Sequence, residues 1–259
     1  MTKLTKLSRS IEDKVALITG AGSGMGRATA HVFAEAGAKV VVTDVNEEHI
    51  DQVCNEIDSS NGISFKQSLD ITNQKNIEQV VSAIIAEFGQ LDILINNAGV
   101  SIPITLDDEN YEESWDRTFD VLLKGQVKLI RASLPFLLKS DCGRIVNISS
   151  TEGMGATPRN SPYTAAKHGV IGLTRALAAE LGSQGITVNC ICPGPINTAM
   201  TASIPIEDKQ IYARRRVPLK RYGEPEEVAH MTLSLCLPAA SFVNGAVLPV
   251  DGGLSIKRA

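Results

Sequence analysis

The chain has 259 residues, 43% of them apolar, and a formal net charge of −4. That is enough apolar material for one large core, and too little positive charge for a nucleic-acid or anionic-membrane surface. No run of about eighteen apolar residues is available to cross a bilayer. The five cysteines lack paired CxxC or HxxxH spacing, so no metal is expected, and a reducing, cytoplasmic setting follows.

The opening "MTKLTKLSRSIEDK" carries basic residues but no apolar run, so residues 1–11 read as a flexible arm rather than a signal peptide. From residue 12 to 259 the pattern is that of a single domain. "KVALITGAGSGMGRATAHVFAEAG" is an apolar strand, a glycine cluster and a helical stretch ending at Gly37. "AKVVVTDVNEEHIDQVCNEI" repeats strand then helix, as do "ISFKQSLDIT" with "QKNIEQVVSAIIAEFG", before the strand "QLDILINNAG". A long helical region at 111–139 leads to "GRIVNISS", a second at 162–184 leads to "ITVNCICPG", and "AVLPVDGG" is the last strand. Strands nearly continuous in Val, Ile and Leu, alternating with helices, predict an α/β fold. The expected form is one doubly wound Rossmann-type domain, with about seven parallel strands and helices on both faces.

The cluster Gly20, Gly22, Ser23, Gly24, Met25, Gly26 falls between the first strand and the first helix. Glycines there let the backbone turn tightly and approach a pyrophosphate, whose charge is met by the helix N-terminus. The spacing is TGxxxGxG, since Met25 occupies the last glycine position of GxGxxG; a plain glycine-rich turn is the competing reading. Asp44, at the end of the second strand, is about 20 residues on, where a carboxylate can accept from ribose hydroxyls. It would repel a 2′-phosphate, and no Arg or Lys lies between Thr19 and Met25. NAD is therefore favoured over NADP.

Ser150 ends "RIVNISS", at the carboxyl edge of the sheet where such folds bind ligands. Tyr163 follows at the start of a helix with Lys167 one turn on, on the same face. Moving a hydride to or from a carbonyl carbon requires a matching proton transfer on oxygen. A free phenol, with a pKa of about 10, is a poor base at neutral pH, whereas a nearby ammonium and a positive nicotinamide ring favour phenolate. Tyr163 is then the acid–base, Lys167 the tuning charge, and Ser150 the hydroxyl that orients the substrate oxygen.

With these motifs in order, the chain from about residue 12 to 253 resembles the short-chain dehydrogenase/reductase family. The resemblance rests on TGxxxGxG at 19–26, "NNAG" at 96–99, Ser150, YxxxK at 163–167, "PG" at Pro193 and Gly194, and "VDGG" at 250–253. It implies that Asp70 and Ile71 hold the adenine and that Asn97, Ala98 and Gly99 line the adenosine-ribose side. It further implies that Lys167 binds the nicotinamide ribose, and that Ile196 and Thr198 hold the carboxamide and phosphates. Asn96 and Asn97 also have a purely structural reading, and Asp251 reads as a turn or interface residue. One position departs: "DVLLKG" puts Leu122 where the family usually has an asparagine linked to a water relay from the lysine.

The implied activity is NAD-dependent interconversion of a secondary alcohol and a ketone. The alternatives are a 3-oxoacyl-type reductase, and an NAD-binding scaffold with weak catalysis, for which Leu122 is the supporting feature. The substrate pocket is assigned to Thr151, Glu152, Met154, Arg159, Asn160 and Pro195, under a lid at about 198–218. The triplet Arg214–Arg216 reads as a solvated helix face. The expected partners are a small alcohol or ketone and further copies of the chain. The apolar content of the two long helices points to a homotetramer, or failing that a dimer.

Overall fold

The computed structural model describes residues 5–257. Its seven strands run β1 Val15–Thr19, β2 Lys39–Asp44, β3 Ile63–Ser68, β4 Ile93–Asn96, β5 Arg144–Ile148, β6 Thr187–Pro193 and β7 Val247–Val250. All pair in parallel, in the order β3-β2-β1-β4-β5-β6-β7. The chain therefore winds outward from β1 in one direction and, after crossing to β4, in the other. Ligand crevices form at such a reversal, outside the carboxyl ends of the strands.

The eight helices are α1 Gly24–Glu35, α2 Glu47–Ser59, α3 Gln74–Phe88, α4 Tyr111–Phe119, α5 Gly125–Leu137, α6 Ser161–Leu181, α7 Ile206–Arg216 and α8 Pro225–Cys236. Successive strand residues point to opposite faces, so each inner strand feeds two cores. Ile18, Val42 and Ile95 pack with Phe33 of α1 and Val228 of α8. Leu17, Val41 and Leu94 pack on the other face with Val81 of α3, Leu129 of α5 and Ala178 of α6. The doubly wound expectation holds. The edge strands differ from the inner ones: β3 mixes exposed and half-buried residues and β7 is only partly covered, because each has a neighbour on one side alone.

Residues 1–4 of the expected arm lie outside the described residues. Thr5–Ser10 are exposed, yet the Ser8 carbonyl accepts from the Ala239 amide at 2.9 Å, and Ile11 is fully buried in the core. The five cysteines are all free and buried. Among the described residues no helix is long and apolar enough to cross a membrane, and no cluster of metal-ligating side chains occurs.

The long helix expected at 111–139 is broken. Between α4 and α5 the residues Asp120–Lys124 form a π-helical turn, where bonds skip one extra residue. Leu122 sits in that turn, fully buried.

Candidate active site

A cleft of about 310 Å³ opens at the carboxyl edge of the sheet, where β1 and β4 diverge. The turn after β1 forms one wall, with Gly20, Ser23, Gly24 and Met25 all on it. Gly20 has φ +63, and a Cβ there would come within 2.9 Å of the Ala98 Cα. Gly26 lies beneath the turn rather than in the cleft. A Cβ on it would fall 2.0 Å from the Gly20 carbonyl oxygen, so its absence lets α1 start hard against the strand. At the head of α1 Ser23 is extended and makes no side-chain cap bond, and the first turn carries no acidic residue. Uncapped amides at the positive end of a twelve-residue helix suit a pyrophosphate.

Asp44 closes the same wall. Its Oδ2 accepts from the Gly22 amide at 3.1 Å and its Oδ1 from the Asn46 amide at 3.1 Å, which leaves further lone pairs for ribose hydroxyls. Asp70 and Ile71 line the cleft opposite. Burial pushes the Asp70 carboxyl up, but bonds from the Thr72 hydroxyl and amide, with the charges of Arg117 and Lys128, hold it below the usual range.

Asn97, Ala98 and Gly99 line the cleft between these walls. The Asn97 side chain is occupied structurally: its Nδ2 donates to the carbonyls of Thr19 at 2.8 Å and Gly20 at 3.2 Å. The Thr19 hydroxyl accepts from the amides of Asn97 and Ala98, both at 2.9 Å, and so stitches β1 to β4 below the glycine turn. Asn96 is buried and donates to Asn147 Oδ1 on the adjacent strand at 2.8 Å, a sheet-internal role.

Tyr163 and Lys167 line the far end of the cleft, one turn apart on α6. Lys167 is buried; its Nζ stands 5.5 Å from the centre of the Tyr163 ring and donates to the Ile148 carbonyl at 2.8 Å. Two adjacent serines follow β5 and divide the work. Ser149 lines the cleft and its hydroxyl donates to the Lys167 carbonyl at 2.9 Å, which fixes α6 against the strand. Ser150 is half-buried, and its hydroxyl accepts from the Glu152 amide at 3.1 Å and lies beside the Tyr163 phenol.

Burial shifts both groups of the pair. Burial pushes the Tyr163 phenol up to about 12, with the Glu152 charge adding and Ser150 opposing. Burial likewise brings the Lys167 ammonium down to about 8. In the protein alone the phenol is neutral at pH 7, because burial disfavours its charged form.

Thr198 lines the cleft, followed by Ala199 and Met200. Pro193 is buried at the end of β6, and Gly194 packs where a Cβ would meet the Asp251 Cα at 2.7 Å. Ile196 is buried, and both it and Pro195 line a second cavity with Arg221 and Gly252. These four positions lie behind the cleft rather than on it. Thr151 and Glu152 form the turn after Ser150, Asn160 heads α6, and Met154 and Arg159 are exposed. Asp251 is a turn residue, accepting from the amides of Gly253 and Ser255 at 2.8 Å each. Arg214–Arg216 are exposed, as a solvated face requires. Val45, Leu69, Val100, Arg117, Val121 and Ile148 also line the cleft. No motif marks them, because each arrives by packing from a different element.

The family model described as Enoyl-(Acyl carrier protein) reductase matches residues 20–255. The chain is a short-chain dehydrogenase/reductase. This dehydrogenase/reductase is 39% identical over 246 residues to a 3-oxoacyl-[acyl-carrier-protein] reductase of Thermotoga maritima, covering 95% of this chain and 99% of the relative. It is 37% identical over 242 residues to meso-2,3-butanediol dehydrogenase of Serratia marcescens, covering 93% and 94% respectively. A solved structure of a candidate gluconate dehydrogenase from Agrobacterium tumefaciens superimposes with a TM-score of 0.92. That protein is 31% identical, and the match covers 98% of this chain and 100% of the other. Family members are oxidoreductases that bind a nicotinamide cofactor, and the uncapped α1 turn and its glycines fit one here.

Proposed function

We propose that this enzyme interconverts a secondary alcohol and a ketone, with NAD in preference to NADP. The carrying observation is one cleft with the Asp44 carboxylate at one end and the Tyr163–Lys167 pair at the other, beside Ser150. When bound, NAD supplies a hydride acceptor and a positive ring near the phenol. The chain's residues do the rest. Ser150 donates to the substrate oxygen, Tyr163 takes the hydroxyl proton during oxidation and returns it during reduction, and Lys167 lends charge and binds the nicotinamide ribose. Asp44 accepts from the adenosine ribose and repels a 2′-phosphate.

The test is a panel of secondary alcohols and ketones assayed with each cofactor, following absorbance of the reduced nicotinamide. Turnover confined to NADPH and 3-oxoacyl thioesters would favour the second reading, a 3-oxoacyl reductase, which the Thermotoga relative and the matched family model support. Cofactor binding without turnover on any carbonyl would favour a scaffold. On the main reading the chain acts in the cytoplasm as a homotetramer, or a dimer, joined through α4–α5 and α6. A monomer by light scattering at micromolar concentration would contradict that assembly.

A further inference from the structure

Glu152 stands two residues past Ser150, in the turn Thr151–Gly153 that the Ser150 hydroxyl caps. Its two carboxylate oxygens are held separately: Thr157 donates to Oε1 at 2.6 Å and Thr164 to Oε2 at 3.0 Å. Thr164 is the neighbour of Tyr163 on α6, so this clamp ties the carboxylate to the helix that carries the phenol. Among the described residues no Lys, Arg or His lies within 4.0 Å of it. Burial raises the phenols of Tyr163 and of Tyr212 on α7, and the Glu152 charge adds to both. A second acceptor stands close by in sequence. The side-chain oxygen of Asn160, at the head of α6, is buried and accepts from nothing in the protein.

A carboxylate holding one hydroxyl on each oxygen still has lone pairs to offer, and here no cation claims them. A simple ketone or monoalcohol has no spare donor for them, whereas a second substrate hydroxyl does. An anionic group on the substrate would be repelled.

We propose that Glu152 is a specificity-determining residue that accepts a hydrogen bond from a second hydroxyl of the substrate. The preferred substrates are then small polyols and hydroxyketones with a hydroxyl next to the reacting carbon. This rests on the alcohol-oxidising reading of the site.

The experiment compares 2,3-butanediol with 2-butanol, and 1,2-cyclohexanediol with cyclohexanol, in wild type and Glu152→Gln. The amide keeps the volume and can still bond both threonines, so the turn survives. In wild type, kcat/KM is expected to favour each diol at least tenfold over its monoalcohol, and Glu152→Gln is expected to erase at least nine-tenths of that ratio. Any effect of the lost charge on Tyr163 applies to both alcohols and cancels in the ratio. Equal losses on diol and monoalcohol would make Glu152 a structural residue and overturn the proposal. A binding readout separates this from failure of the parent reading. With NAD present, diols should raise the melting temperature of wild type more than of Glu152→Gln, whether or not turnover is seen. Identical shifts overturn the assignment, and absence of turnover on every alcohol overturns the parent reading alone.

Discussion

The Gly22 amide donates to the Asp44 carboxylate at 3.1 Å, so the glycine turn after β1 and the end of β2 are a single hydrogen-bonded unit. A Cβ on Gly22 would reach 3.0 Å from the same oxygen, which leaves no space between them. Asp44 therefore has two consequences when removed, one for the cofactor and one for the turn.

For the cofactor, wild type is expected to prefer NAD at least tenfold, about 1.4 kcal/mol. Asp44→Ala should shrink that preference by relieving the repulsion of the 2′-phosphate. It should also weaken NAD itself, because Gly22 loses its acceptor. Titrating both reduced cofactors by fluorescence checks this; an unchanged ratio would remove Asp44 from the specificity argument.

Tyr163→Phe is expected to lower turnover by about 10² to 10⁴ while NAD still binds. The buried phenol also has a signature in the free enzyme. With its pKa pushed up to about 12, its ultraviolet ionisation band should lie above that of an ordinary tyrosine and disappear in Tyr163→Phe. Bound NAD should move the band to lower pH. A titration without that movement would leave the phenol too weak a base for neutral-pH oxidation.

Lys167 is a stability cost held for function. Its folded pKa, about 8, is below the ordinary lysine value of 10.5, so the unfolded chain binds more protons between those values. The sign follows: this group's contribution is fully present above about 10.5 and is lost as pH falls through 8. Lys167→Met should therefore gain stability over wild type at pH 7, by up to roughly 3 kcal/mol, and the gain should fade toward pH 10.5. Urea midpoints at both pH values check this, and a gain independent of pH would mean that the lysine binds its proton equally in the folded and unfolded chains.

Leu122 fills its site: a Cβ on Gly99 would lie 3.3 Å from the Leu122 Cδ2, and the side chain is fully buried. Leu122→Asn would bury an amide with no partner in the present packing, at about 1–3 kcal/mol of stability. Turnover should change less than tenfold, because a backbone carbonyl can hold a relay water whatever its side chain. Chemical denaturation together with steady-state kinetics separates the two effects, and a large gain in turnover would show that the missing amide limits the wild type.

The sequence by itself determined whatever depends on neighbours along the chain. Alternating apolar strands and helices gave the doubly wound sheet, and the glycine spacing placed the tight turn between β1 and α1. The four-residue step put Tyr163 and Lys167 on one face, since helical periodicity is a local property. Tertiary structure alone decided how two adjacent serines divide the work: Ser149 spends its hydroxyl on the Lys167 carbonyl, and Ser150 lies beside the Tyr163 phenol. It also decided that Arg117 lines the cleft, that Pro195 and Ile196 face another cavity, and that a π turn breaks the long helix at Leu122. The neutral Tyr163 belongs to the same group. The four-residue spacing promised an ammonium beside the phenol but carried no information about desolvation, which is what raises the phenol. Each of these depends on distances between elements far apart in sequence, and packing sets those distances.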